Sequence, residues 1–394
     1  MREPPLSETT VVDFTHARAG PWCTEILGEL GAEVLKVEPP GGDSNRYTNP
    51  QRGGMGVDFI SRYRNKKSIV IDLKSDKGRQ TAEDLIGDAD VVIENFGPGV
   101  MEKFDLGYEY LSEEVNPQLV YASIKGYGET GPYKNKKGVD LVMQAEAGIM
   151  SVTGPDGGPP MKVGQAIGDI GAGLYSVIGI VTALRERDRT GRGQKFETDL
   201  FGTIVSFMEE YLTEYSITGE NPTPNGTRHQ TFVPYELFET KDSYVAVFVP
   251  GSRWKQFVAE VLDDDSLLEY DSNKARQDHY DEIMDVLRPV LREKTSEEWI
   301  DRFEELGIPC GPLNQVSDVI EHPQARERGY IIEHEDENLG EVVLHGFPMH
   351  FSENETTFQH GPPQLGEHTE EILSGHLGLT SDEVEELRSE GVVE

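Results

Sequence analysis

The sequence predicts an α/β fold: a parallel sheet with crossover helices, followed by a smaller α/β domain. Two observations predict it. Strand-like and helix-like segments alternate over the first ~125 residues, the pattern of repeated βαβ units. From Thr231 onward the texture changes to short strands and charged helices.

Thr10 to Thr15 (TVVDFT) reads as a buried strand, and the loop His16 to Gly20 follows it. Pro21 suits a first helical turn, Ile26, Leu27 and Leu30 supply an apolar face, and Gly31 suits the stop. Glu33 to Glu38 reads as a second strand, Ser68 to Leu73 as a third, Asp90 to Glu94 as a fourth and Leu119 to Ile124 as a fifth, with a helix over Asp76 to Ala89. A long apolar helix is expected after Gly171, to about Arg189, and another over Thr203 to Ser216. Asn221 to Gly226 reads as a linker or turn. Beyond it come a strand at Tyr244 to Val249, helices at Trp254 to Leu262, Asp278 to Leu291 and Ser296 to Leu306, a strand at Glu341 to Leu344 and a helix at Ser381 to Leu387.

The 394 residues are enough for two or three domains. No stretch reads as the ~20 apolar residues of a membrane helix, and residues 1–7 lack a signal-peptide pattern. Cys23 and Cys310 stand in no metal-like spacing, so a reducing, cytoplasmic setting without disulfides is expected. Acidic residues number 72 against 36 Lys plus Arg, a formal net charge of -36. That balance argues against nucleic acid, which needs a basic surface. The acids run through the whole chain rather than forming a tail, which suggests a halophile whose self-repulsion is screened by salt.

Several chemistries lack their motifs. The loop Ala17 to Pro21 lacks GxGxxG, and the chain has no GxxxxGK[ST], no HExxH, no paired-cysteine site and no GxSxG. The stretch Gly164 to Gly173 (GQAIGDIGAG) places one acid, Asp169, among small residues before an apolar helix. One reading makes Asp169 a helix N-cap with glycines for tight packing. The other lets a bulky substrate approach a carboxylate that the helix dipole keeps ionised. The two are compatible.

Along nearly its whole length the chain resembles the family III CoA-transferases, the group of formyl-CoA transferase and carnitine CoA-transferase. The resemblance rests on DFTHARAGPWCTEILGELGAEVLKVEPPGGD, NKKSIVIDLK, DVVIENFGPGVMEKFDLG, ASIKGYGETGPY, GDIGAG, TGRGQ, PYELF, GIPCGPLNQV and LGEHTEEIL. It implies a Rossmann-like large domain over 1–205 and 326–394, a linker over 206–230, a small α/β domain over 231–325, and an interlocked homodimer. The family nucleophile falls on Asp169, which would form an anhydride and then an aspartyl-CoA thioester, with a CoA thioester as substrate and no metal or prosthetic group. CoA contacts carry over onto Ala17, Arg18, Ile71, Asp72, Leu73, Lys74, Asn95, Phe96, Gly97, Lys103, Lys137, Gly138, Val139 and Asp140.

Three departures from the formyl-CoA enzyme stand out: Pro39 for an arginine, which puts an adenine or phosphate contact in doubt; Val139 for an aromatic; and Asn225 to Gln230 (NGTRHQ) for a glycine-rich loop, which argues against a formyl or oxalyl substrate. Arg18 stands where that enzyme has glutamine. Arg18, with Arg228 and His229, is therefore a candidate for holding the free carboxylate of a dicarboxylic acid; its alternative is a loop or phosphate contact. The acidic composition and these arginines resemble haloarchaeal members that move CoA from succinyl-CoA to mesaconate. Other acid pairs, or a shift of CoA within mesaconyl-CoA, stay open. Racemases of the same fold carry a histidine base where this chain has Lys136 to Asp140 (KKGVD), so proton abstraction would lack its base.

Overall fold

The computed structural model describes residues 2–356 and 358–394; Met1 and Thr357 lie outside them. Six strands form the main sheet: β1 (Thr10–Asp13), β2 (Glu33–Glu38), β3 (Lys66–Val70), β4 (Val91–Glu94), β5 (Val120–Lys125) and β6 (Lys195–Asp199). Their order is β3-β2-β1-β4-β5-β6, and every pairing is parallel. This is the doubly wound arrangement. The chain works outward from β1 to β3, then restarts at β4 beside β1, so the loops leaving β1 and β4 part and open a crevice.

Neighbouring residues of one strand face opposite layers. Val11, Val34, Val91 and Val120 pack with Cys23 and Leu27 of helix α1 (Ala19–Glu29) and with Ala172 and Ile180 of helix α3 (Ile167–Thr190). Val12, Leu35, Ile69 and Val92 pack with Ala82 and Leu85 of helix α2 (Asp76–Gly87) and with Ile372, Leu373 and Val384 near the C-terminus. Ser75 caps α2 by accepting the N–H of Gly78, which satisfies one of the open donors of the first turn.

The chain divides into two compact units. One comprises 1–149, 162–216 and 324–394; the other comprises 150–161 and 217–323. In the second, β7 (Tyr235–Glu239), β8 (Tyr244–Phe248) and β9 (Cys310–Pro312) form an antiparallel sheet in the order β9-β8-β7. Trp254, Phe257, Trp299 and Phe303 dominate its core. A capping box of Thr295 and Glu298 starts the helix Ser296–Glu305.

Several expectations need correction. α3 begins at Ile167 rather than after Gly171, so Asp169 lies inside its first turn and the N-cap position falls on Ala166. The expected helix Thr203 to Ser216 is two helices, α4 (Leu200–Phe207) and Glu209–Thr218, so much of the expected linker 206–230 is helical. The third strand ends at Val70; Ile71 to Lys74 leave the sheet. Residues 150–161 join the second unit; their Gly/Pro cluster (GPDGGPP) marks a loop but not the unit it joins. α3 is also long and apolar enough, by length and composition, to cross a membrane. Its glycines and alanines disguised this in the sequence. Half of its most apolar window is buried within the protein, as in a core helix.

Glycines set the packing of α3. A Cβ at Gly173 would sit 2.7 Å from the Ala19 carbonyl oxygen and 2.9 Å from Trp22 Cδ1, and one at Gly171 would sit 2.6 Å from Phe207 Cζ and Thr203 Cγ2. The small residues around Asp169 therefore admit α1 and α4 rather than a substrate; Gly164 alone in that run stays open.

Candidate active site

The loop between β1 and α1 is held residue by residue. The Asp13 carboxylate is fully buried. It accepts from the Thr15 N–H (2.7 Å), the Thr15 hydroxyl (2.6 Å) and the Thr24 hydroxyl (2.6 Å). Burial pushes its pKa up, but Lys36, Lys66 and these hydroxyls outweigh burial and hold it below the ordinary value. Lys36 Nζ donates to the Thr15 carbonyl. Asn95, from the loop after β4, clasps His16 twice: its Oδ1 accepts the His16 N–H at 2.9 Å and its Nδ2 donates to the His16 carbonyl at 2.7 Å. Asn45 Nδ2 donates to the Ala17 carbonyl at 2.5 Å. Ala17 has φ +62°, a strained value for a residue with a Cβ that persists only where surroundings over-determine it. The clasp supplies that constraint, and the next residue, Arg18, reaches Asp58 and Gln165.

Asp169 is half-buried in the first turn of α3. Asp140 Oδ1 accepts the N–H of the preceding residue, Gly168, at 2.8 Å, so a second carboxylate stands beside the first. Burial pushes the Asp169 pKa up to about 6 and Asp140 adds to the rise, while Arg18 and Arg62 oppose it. At pH 7 such a carboxyl is ionised in roughly nine molecules of ten, yet more basic than a solvated one. The positive end of α3 favours the charged form. A charged, partly desolvated carboxylate of this kind is a competent nucleophile toward an activated acyl group.

A cavity of about 580 Å³ opens at the C-terminal ends of β1, β2 and β3, a size suited to a small-molecule ligand. Ile71, Asp72, Leu73, Lys74 and Phe96 line it, as does Pro39. The His16 ring stacks on Phe96 with centroids 5.3 Å apart. The segment Ile71 to Asp72 is braced from the far end of the chain: the Asp72 N–H donates to the Val392 carbonyl at 2.9 Å, and Ile71 bridges to Val393.

Among the other expected residues, Gly97 lies on a separate cavity of about 220 Å³ with Lys125, Lys134 and Lys195. Lys103 is exposed at the end of the short helix Val100–Lys103. Lys137 and Val139 are exposed, and Gly138 packs on Gly126. Arg228 and His229 belong to the second unit. There the Arg228 guanidinium lies 4.4 Å from the centre of the Tyr280 ring, and His229 stacks on Tyr235. No group of three or more acidic, histidine or cysteine side chains suited to a metal occurs among the described residues.

The family model of CoA-transferase family III matches residues 6–369. The chain belongs to CoA-transferase family III. Human succinyl-CoA:glutarate CoA-transferase is 35% identical over 395 residues, covering 99% of this chain and 90% of the relative. Succinyl-CoA:mesaconate CoA-transferase of Haloarcula hispanica is 34% identical over 393 residues, covering 96% and 98%. A crystal structure of a CAIB/BAIF family protein from Brucella suis superposes with a TM-score of 0.86 at 33% identity, covering 95% of this chain and all of that one.

In this CoA-transferase, residues that sequence reasoning missed also lie beside Asp169. Arg62 and Asp58 stand with Arg18 near Asp169: Arg62 Nη2 donates to Asp58 Oδ1 at 2.6 Å, and Arg18 Nη2 approaches the same oxygen at 3.4 Å. The available signal was their spacing, an acid four residues before an arginine, which pairs on a helix. Lys36 and Asn45 left no such signal, because the loop carbonyls they hold, those of Thr15 and Ala17, are remote in sequence.

Proposed function

We propose that this enzyme moves CoA from succinyl-CoA to a dicarboxylic acid such as mesaconate, with Asp169 as nucleophile. The observation that carries the reading is a half-buried carboxylate, lifted to about 6, poised between Asp140 and two arginines. An Asp169 oxygen attacks the thioester carbon, the C–S bond breaks, and CoA leaves as thiolate from a mixed anhydride. The thiolate then attacks the Asp169 carbonyl carbon, releasing succinate and leaving an aspartyl-CoA thioester. The acceptor carboxylate attacks that thioester, and the thiolate closes the cycle on the acceptor's acyl carbon. Each step exchanges one activated acyl group for another of similar energy, so no proton or electron is consumed.

The cleft at Ile71 to Lys74 and Phe96 suits the CoA nucleotide, with Lys74, Lys103 and Lys137 as phosphate partners. Relatives named for succinyl-CoA with glutarate, mesaconate or L-malate support a dicarboxylate acceptor. The outer face of α3 leaves Leu174, Ile178 and Val181 exposed, an apolar stripe that supports pairing with a second copy, as the family resemblance implies.

The test incubates the enzyme with succinyl-CoA and a panel of acids, with products read by mass spectrometry and the intermediate trapped with hydroxylamine. The expected result is transfer to dicarboxylates, label on Asp169, and an Asp169→Ala variant that binds CoA without transferring it. Label on another residue, or solvent deuterium entering the α-carbon of the thioester, overturns the reading.

A further inference from the structure

We propose that Arg62 and Arg18 together receive the remote carboxylate of a dicarboxylic acceptor, and that Asp58 holds their place until it arrives. The inference rests on the reading of Asp169 as the CoA-transfer nucleophile and deepens it.

Arg62 ends the short helix Val57–Arg62 and is only 6% exposed. A guanidinium so enclosed ordinarily meets a carboxylate with two parallel bonds. Here Nη2 donates to Asp58 Oδ1, Nη1 reaches the Ser61 hydroxyl at 3.3 Å, and the buried Nε has no partner. Arg18 is also under-used: Nη2 reaches Asp58 Oδ1 at 3.4 Å and Nη1 reaches Gln165 Oε1 at 3.5 Å. Two guanidinium forks thus converge on a single carboxylate oxygen, with donors to spare. Gln165 lies in the segment that leads into the turn of Asp169, so the arrangement borders the reacting group.

The charges give the pair a timing. At rest Asp169, Asp140 and Asp58 face Arg18 and Arg62, leaving one negative charge in excess. Once Asp169 becomes an aspartyl-CoA thioester its charge is gone, and the site becomes neutral at the step when an anionic acceptor must enter. An acceptor with a second carboxylate can then take the place of the Asp58 carboxylate on the two guanidinium groups. A monocarboxylate has nothing to offer them.

The experiment uses the full-length enzyme with saturating succinyl-CoA and compares kcat/KM for glutarate with kcat/KM for valerate, a monocarboxylate of the same chain length. The acylation half-reaction is common to both acceptors and cancels in the ratio. Arg62→Gln is expected to lower the glutarate-to-valerate ratio at least tenfold, and Arg62→Lys to restore part of it. Asp58→Asn is expected to hold or raise that ratio, because it removes the competing carboxylate. A merely structural ion pair predicts the same direction for both partners. Equal loss on both acceptors in Arg62→Gln, or a ratio lowered alike by Asp58→Asn, overturns the proposal. Should Arg62→Gln fail to fold, Arg62→Lys and Asp58→Asn decide by the same opposition. A wild-type enzyme that transfers CoA to no acid refutes the Asp169 reading instead.

Discussion

Asp140 accepts the main-chain N–H of Gly168 and thereby stands beside the carboxylate of Asp169. One carboxylate that caps a helix also makes its neighbour more basic. This couples the folding of the turn to the chemistry it carries.

The first prediction concerns pH. With Asp169 as the proposed nucleophile, only its ionised form attacks, so kcat/KM should climb about tenfold per pH unit below about 6 and level off above it. Asp140 raises the Asp169 pKa, so Asp140→Asn, which can still accept the Gly168 N–H, should move the rising limb to lower pH. A pH–rate profile checks this; a limb that stays in place removes Asp140 from the electrostatics.

The same shift has a cost in stability. The folded Asp169 binds its proton more tightly than the unfolded one, with a pKa of about 6 against 3.8. Stability from this group is therefore full below the unfolded pKa and is lost as pH rises through the folded one. The loss at pH 8 is on the order of 1–3 kcal/mol. Asp169→Asn should melt higher than the wild type at pH 8, with the gain shrinking toward pH 4. A variant that melts lower at pH 8 contradicts it.

Gly173→Ala should be costly although alanine favours helices. Its methyl would meet the Ala19 carbonyl and Trp22, forcing α1 from α3 at a cost of about 1–3 kcal/mol. Because Ala19 adjoins Arg18, activity should fall with the melting temperature. A melt matching the wild type would mean that the two helices give way freely.

Salt supplies a further check. With a formal net charge of -36, self-repulsion should lower the melting temperature as salt falls from molar to millimolar concentration. Equal melts at both ends would argue against a halophilic design.

The legible part of the fold was the part written in local patterns. β2 matches its expected bounds, Glu33–Glu38, because an apolar run there ends at two prolines. The start of α3 was misplaced because Ile167 and Gly168 look like loop residues. They become helical only because Asp140, from another segment, receives the Gly168 N–H. The neighbourhood of Asp169 was similarly half readable. Arg18 lay in a suggestive loop, whereas Arg62 became meaningful only when the fold carried Val57–Arg62 to it. The excursion 150–161 carries a Gly/Pro cluster that marks a loop, but nothing in its composition says which core it joins.

The brace between Ile71–Asp72 and Val392–Val393 sets an order of events during synthesis. A growing chain carries Ile71 and Asp72 out of the ribosome about 320 residues before Val392 and Val393, which steady them. Until Val392 and Val393 dock, the segment Ile71–Asp72 lacks both of these partners, and one wall of the cavity stands without its support.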